Sequence, residues 1–389
     1  MSIIGIAIGA TGLALILVFL WMLSLSLRKK RLEEEKRQRE LAYRRALEKN
    51  KQRERQERIL KAEEGHVPTI LFLAKEAERT NIKEALHWYT KAAKLDSING
   101  MYGIVRLSQK MREDLVLKEQ AKFWQNCISA LEGNASAKYD MALALFHGRG
   151  TDQNVLKATS VMQEAAEEKN IDAILFLGEW CVSANNPQRK PQDSTYWYKR
   201  AAQLNSLEGR MRLGLNYLHG VGVSADHNKG CYWLERAAEK GHVQAMYHAG
   251  EAWMDRGSKG NAIAYIWLFL SAYFGYEPAK ALRDQVGANL GVDSVVGLQS
   301  LVRPIIKKMA AGTVSKHSVI RVLNKLYKRG IQLPQDATDS ELLSDDSELD
   351  EELLSRAADT TQSQPQPEPQ PPEPESPPPK MDFSAGFKL

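Results

Sequence analysis

Two glycine pairs, Gly148-Arg149-Gly150 and Gly220-Val221-Gly222, have a spacing that can cradle phosphate where a strand turns into a helix. Here both follow helical periodicity, and no Lys-Ser or Lys-Thr comes after them. They are expected as helix stops, because glycine readily takes the left-handed conformation that a helix end needs. The eight histidines are scattered. His242 and His248 lie six apart, which does not put two ligands on one helix face, and no HExxH pattern accompanies them. Cys127, Cys181 and Cys231 form no CxxC pair, so buried free thiols are expected rather than a disulfide framework or a zinc site. No GxSxG occurs. The sequence therefore names no catalytic, cofactor-binding or metal-ligating residue, and the expectation is a protein that is not an enzyme.

Any binding residue must be positioned by a repeat that begins near His66. Shifting the chain on itself by 36 residues superposes Ala165-Ala166, Ala201-Ala202 and Ala237-Ala238, with Ala92-Ala93 as a further copy and Ser129-Ala130 and Ser271-Ala272 in the remaining slots. Aromatic residues precede most of these pairs: Trp88-Tyr89, Phe123-Trp124, Trp197-Tyr198, Tyr232-Trp233 and Trp267. Each unit reads as two helices. Small alanines let neighbouring helices approach, and the aromatic fills the space beside them. One unit cannot bury its own apolar face, but stacked units can.

These residues resemble Sel1-like repeats, relatives of the tetratricopeptide repeat. Residues 209 to 241 match the pattern at Leu213, Gly214, Tyr217, Gly220, Gly222, Val223, Asp226, Lys229, Trp233, Ala237, Ala238 and Gly241, and depart from it at Gly209 and Gly230, where the pattern has alanine. Residues 137 to 168 match at Ala137, Gly148, Gly150, Lys157, Ala158, Ala165 and Ala166. The resemblance implies an all-α fold, a right-handed solenoid of about six helix-turn-helix repeats that serves as a protein-interaction scaffold. It also implies that the first helix of each unit lines a concave groove. By the 36-residue register the exposed groove positions are expected to be Lys138 and Asp140, then Ile174, Phe176 and Trp180, then Arg210, Arg212 and Asn216, then Met246 and His248. An aromatic and apolar patch beside two arginines would clamp an acidic, partly hydrophobic peptide. Charge reversal at Arg210 and Arg212 should then abolish capture without unfolding the chain.

The flanks carry the remaining expectations. Ile3 to Leu27 has no charge, and at 1.5 Å per residue its roughly 25 residues exceed a bilayer core of about 30 Å. The cluster Arg28-Lys29-Lys30-Arg31 follows and would hold that side in the cytoplasm. A bacterial inner-membrane protein is therefore expected, single-pass, N-terminus out and repeats cytoplasmic, touching the membrane through residues 3–27 and Arg28–Arg31. Gly5, Gly9 and Gly12 permit helix pairing, so homo-oligomerisation is open. Residues 28–64 are about two-thirds charged, with good helix formers and no Pro or Gly, and read as a solvated helical stalk. The net charge of +5 is small for 389 residues, and no aromatics interleave the basic run, which argues against nucleic acid.

The expected domains are a transmembrane helix at 1–27, the stalk at 28–64, the solenoid at 65–276, a helical cap at 277–332 broken at Pro304 and Gly312, and an acidic then Pro/Gln-rich disordered tail at 333–389. Together they suggest a membrane-anchored scaffold that organises cytoplasmic partners through its groove; the alternative is a cell-envelope assembly factor with its repeats in the periplasm.

Overall fold

The computed structural model describes residues 3–111 and 113–333, with side chains from residue 18 onward. Among the described residues it holds sixteen helices and no strand. They fall into two compact units, residues 1–168 and 169–389.

The first unit contains α1 (Ile3–Glu63), α2 (Val67–Ala77), α3 (Ile82–Lys94), α4 (Ile98–Lys110), α5 (Leu115–Leu131), α6 (Ala135–His147) and α7 (Val155–Glu167). The second contains α8 (Ile171–Trp180), α9 (Pro191–Gln203), α10 (Leu207–His219), α11 (His227–Ala238), α12 (Val243–Trp253), α13 (Gly257–Tyr273), α14 (Pro278–Leu290), α15 (Val292–Ala310) and α16 (Ser318–Tyr327). From α2 to α13 the helices form six hairpins, each packed helix against helix.

The periodic residues do what their types suggest. Both alanines of each pair at 92–93, 165–166, 201–202 and 237–238 are buried, as are Ser271 and Ala272. Aromatics beside most of the pairs are buried with them: Trp88 and Tyr89, Phe123 beside Ser129-Ala130, Tyr198, Tyr232 and Trp267, whereas the pair at 165–166 has Val161 instead. The turn into each new hairpin is periodic too. Gly133, Lys169, Asn205 and Gly241 all have positive φ. The next residue, Asn134, Asn170, Ser206 or His242, turns its side chain to accept a backbone N–H of the helix that follows.

Two expectations about the flanks change. Pro304 does not break its helix: α15 runs unbroken through it, with Pro304 buried. A helix anchored by Leu298, Leu301, Val302 and Ile305 in the core absorbs the loss of one backbone hydrogen bond. Gly312, at φ +69, does lie beyond its end.

The larger correction concerns the N-terminus. Among the described residues, no helix is long and apolar enough to cross a membrane. The expected single-pass inner-membrane placement therefore falls, and with it the transmembrane helix and the topology that rested on it. The Gly5, Gly9 and Gly12 spacing lies outside the described side chains, and the tail from Pro334 onward lies outside the described residues. The charged part of α1 is exposed until Ala62, which is buried where α1 meets α2.

Candidate partner-binding face

The glycine pairs are helix stops. Gly220 and Gly222 have φ +68 and +67, and Gly148 and Gly150 have φ +70 and +69. The intervening amides are already used: Val221 N–H donates to Asn216 O at 2.9 Å and Arg149 N–H to Ala144 O at 2.9 Å. A phosphate would find these donors taken. The second glycine of each pair is also needed for close approach, since a Cβ on Gly222 would lie 2.0 Å from Pro191 O and one on Gly150 2.2 Å from Glu119 O. The two departures from the alanine pattern have a similar cause. A Cβ on Gly209 would stand 2.5 Å from Ala201 Cβ, and one on Gly230 2.5 Å from a Leu218 methyl.

The expected groove residues separate into two rows. In the second unit Ile174, Arg210 and Met246, spaced by 36, all turn inward, at 0%, 8% and 0% exposure. They are core, not groove. Arg210 reaches Asn205 Oδ1 at 2.6 Å and is crowded by Arg236, so reversing its charge would unfold the repeat rather than report on binding. Asn216 is likewise buried. Its amide donates to Thr195 Oγ1 at 3.0 Å and Ser194 Oγ at 3.3 Å, and it tethers the turn at Gly220. Trp180 is half-buried at the end of α8. In the first unit Lys138 is largely buried by its ion pair with Glu168, and Asp140 is exposed.

The row two residues on is the surface row. Phe176, Arg212 and His248 are half-exposed on α8, α10 and α12. The stripe continues one turn on either side with Asp172 and Glu179, Glu208 and Leu215, Gln244 and Glu251. Its geometry is set by hydrogen bonds. Arg212 Nε donates to Glu208 Oε1 at 2.6 Å, and His242 Nε2 lies 3.3 Å from Glu208 Oε2. His242 Nδ1 accepts the Ala245 N–H at 3.1 Å, so the proton sits on Nε2 and points at Glu208. Burial works against the Glu208 charge, but the bonds from His242 and Arg212 outweigh it and hold the carboxyl down to about 2. His248 Nδ1 meets Glu251 Oε2 at 2.7 Å.

Two features escaped sequence reasoning. One is a cleft of about 510 Å³ in the first unit, formed by α3, α5 and the Gly148–Asp152 turn, with Leu115, Val116 and Trp124 on its wall. Lys94 and Asp152 pair at 3.5 Å beside it. Exposed apolar residues in the first turn of a helix, such as Leu115-Val116, were the available signal. The other is a latch on α11. Arg329, beyond α16, donates to both carboxylate oxygens of Glu235 at 2.5 and 2.9 Å, and its guanidinium lies 5.1 Å from the Trp253 ring centroid. Trp253 Nε1–H donates to the same carboxylate at 2.8 Å. One turn along α11, Glu239 Oε1 accepts from Arg236 at 2.7 Å and from His317 N–H at 2.8 Å.

The cysteines are unreactive in this setting. Burial pushes the Cys127 thiol up to about 12 and Cys181 to about 11, and raises Cys231 further. Cys231 Sγ sits 3.4 Å from His227 Nε2, but burial holds that imidazole down to about 4, so it is a poor base at neutral pH.

With this geometry in hand, comparison with known families is decisive for the repeats. The Sel1 repeat family profile matches residues 75–97, 135–170, 172–206 and 207–242. Over these segments, about a third of the chain, the sequence is similar to Sel1 repeats. The last three matched segments hold the two glycine stops, the left-handed turns at Lys169, Asn205 and Gly241, and Phe176 and Arg212 of the surface row, while His248 lies beyond them. A Sel1 repeat fold is typically a non-enzymatic scaffold, and Sel1 repeats generally bind protein partners.

Relatives are distant. An uncharacterised protein of Neisseria meningitidis serogroup B is 25% identical over 171 residues, covering 44% of this chain and 35% of that protein. Chitin synthase regulatory factor 3 of Schizosaccharomyces pombe is 24% identical over 175 residues, covering 43% of this chain and 19% of the factor. The matched part thus spans about a third and about a fifth of these relatives. Among solved structures, a Sel1 repeat protein of Oxalobacter formigenes is 20% identical with a TM-score of 0.40, covering 59% of this chain and 98% of that one. A protective antigen of uropathogenic Escherichia coli with an SLR fold is 17% identical with a TM-score of 0.35, covering 80% and 90%.

Proposed function

We propose that this chain is a non-catalytic scaffold that holds a protein partner on the first-helix face of its second unit, the surface of α8, α10 and α12. Residues 65–276 are then the binding module and 277–332 its cap. The observation that carries this reading is the surface row itself. Phe176, Arg212 and His248 recur at the repeat spacing, stay half-exposed, and are flanked by polar groups whose positions are fixed by hydrogen bonds. A row that is rigid, mixed in chemistry and not needed for the core is suited to recognition. The row buried beside it, Ile174, Arg210 and Met246, supplies the support.

The test is site-specific photo-crosslinking of the full chain in its own cells. A crosslinking side chain at position 176 or 248 should trap a discrete partner, while one at Tyr196, exposed on α9, should not. Equal trapping at all three positions, or trapping at 196 alone, would count against this face.

A further inference from the structure

The sequence pointed to an acidic partner because two arginines were expected in the groove. The structure reverses that sign. Arg210 is in the core, and Arg212 is already held by Glu208, with Glu179 close enough to add to its field. What the stripe leaves for a visitor is negative. Across α8, α10 and α12 it carries Asp172, Glu179, Glu208 and Glu251 against the single arginine. Asp172 and Glu179 have no ion pair among the described residues, and Glu251 is met by the His248 imidazole and the Tyr247 hydroxyl, with no lysine or arginine paired to it among the described residues. Between the carboxylates lie half-exposed apolar side chains, Leu175, Phe176 and Leu215, with Tyr247 beside them.

We propose that the partner segment seated on this face is basic, with arginine or lysine at intervals and apolar residues between them. This rests on the reading of the face as the binding surface and adds the chemistry of its occupant. An arginine placed over α8 would satisfy Glu179 or Asp172, while its apolar neighbour covers Phe176. The same unit shows how a guanidinium is received, since Arg329 is held between the Glu235 carboxylate and the Trp253 ring. An acidic segment would meet unpaired carboxylates and be repelled. Association should weaken with added salt, because these charges are partly exposed.

The experiment uses the full chain and two fluorescein-labelled peptides, one of repeated Arg-Leu-Ala and one of repeated Glu-Leu-Ala. Anisotropy reads binding, and a photo-crosslinker at position 176 reads its place. The expected result is that the arginine peptide binds, crosslinks at 176, and loses roughly tenfold or more in affinity in the Glu179→Lys/Glu251→Lys double variant. Glu164→Lys/Asp293→Lys, with the same charge change on α7 and α15, should bind as the parent does. Thermal melting verifies that each variant is folded. If the glutamate peptide is the one that crosslinks at 176, the basic-partner proposal is overturned while the binding face stands. If the arginine peptide binds equally to both double variants and does not crosslink at 176, the proposal is overturned, since the attraction is then general. If neither peptide crosslinks at 176 and the cellular crosslinks are absent too, proposal and face fall together.

Discussion

Glu208 and Glu235 stand on adjacent helices of the same unit, and each holds an arginine. Glu208 meets Arg212 four residues along its own helix, at side-chain exposures near one third. Glu235 meets Arg329 across 94 residues of sequence, with both partners essentially out of water at 0% and 3%. The first pair is local and partly screened by solvent. The second closes a large loop, and its loss would leave a charge stranded in the core. Sequence distance and burial together thus separate an element of the proposed recognition face from a fastener, although the residue types are the same.

The sharpest way to break this distinction is to cut the fastener. Arg329→Ala leaves Glu235 buried and uncompensated and should cost about 3–5 kcal/mol in denaturant unfolding. The double variant Glu235→Met/Arg329→Met should recover much of that loss, because no charge is then orphaned. An Arg329→Ala effect no larger than that of a surface pair would remove the basis of the comparison.

Glu239 and Glu208 should oppose each other in pH. Burial raises Glu239 to about 7, so between 4.5 and about 7 the folded chain holds more protons than the unfolded one. Its contribution to stability therefore declines as pH rises through that window. Glu208, held near 2, contributes stability that is present above 4.5 and lost as pH falls toward 2. Glu239→Gln should flatten the decline between pH 4.5 and 7, measured as melting temperature against pH, and leave the acid limb unchanged. A parent-like slope in the variant would show that the latch carboxyl does not titrate there.

On the proposed recognition face the effects on stability should shrink. Arg212→Ala should cost about 1 kcal/mol or less, because the pair is partly exposed. His248→Ala should change unfolding by no more than about 0.5 kcal/mol while reducing partner crosslinking at position 176. A loss as large as that expected for Arg329→Ala would move either residue from the recognition face into the core.

The hairpins were legible because each one must bury the same face, so Ala165-Ala166 and Ala237-Ala238 recur at fixed spacing. The same register placed Phe176, Arg212 and His248 in line. It could not say which of two rows faces water, since Ile174, Arg210 and Met246 mix apolar and charged types. Burial of Arg210 depends on Asn205, a partner that only three dimensions reveal. The latch was invisible because Arg329 lies outside the repeats, and periodicity cannot pair it with Glu235. The N-terminal reading rested on one uncharged run alone, and among the described residues no helix is long and apolar enough to cross a membrane.

The measurement that bears most directly on the central claim is hydrogen–deuterium exchange of the full chain with and without the segment trapped at position 176. Added protection should fall on α8, α10 and α12 and leave residues 313–331 unchanged. Protection confined to α11 and α16 would place the partner on the latch and contradict the account.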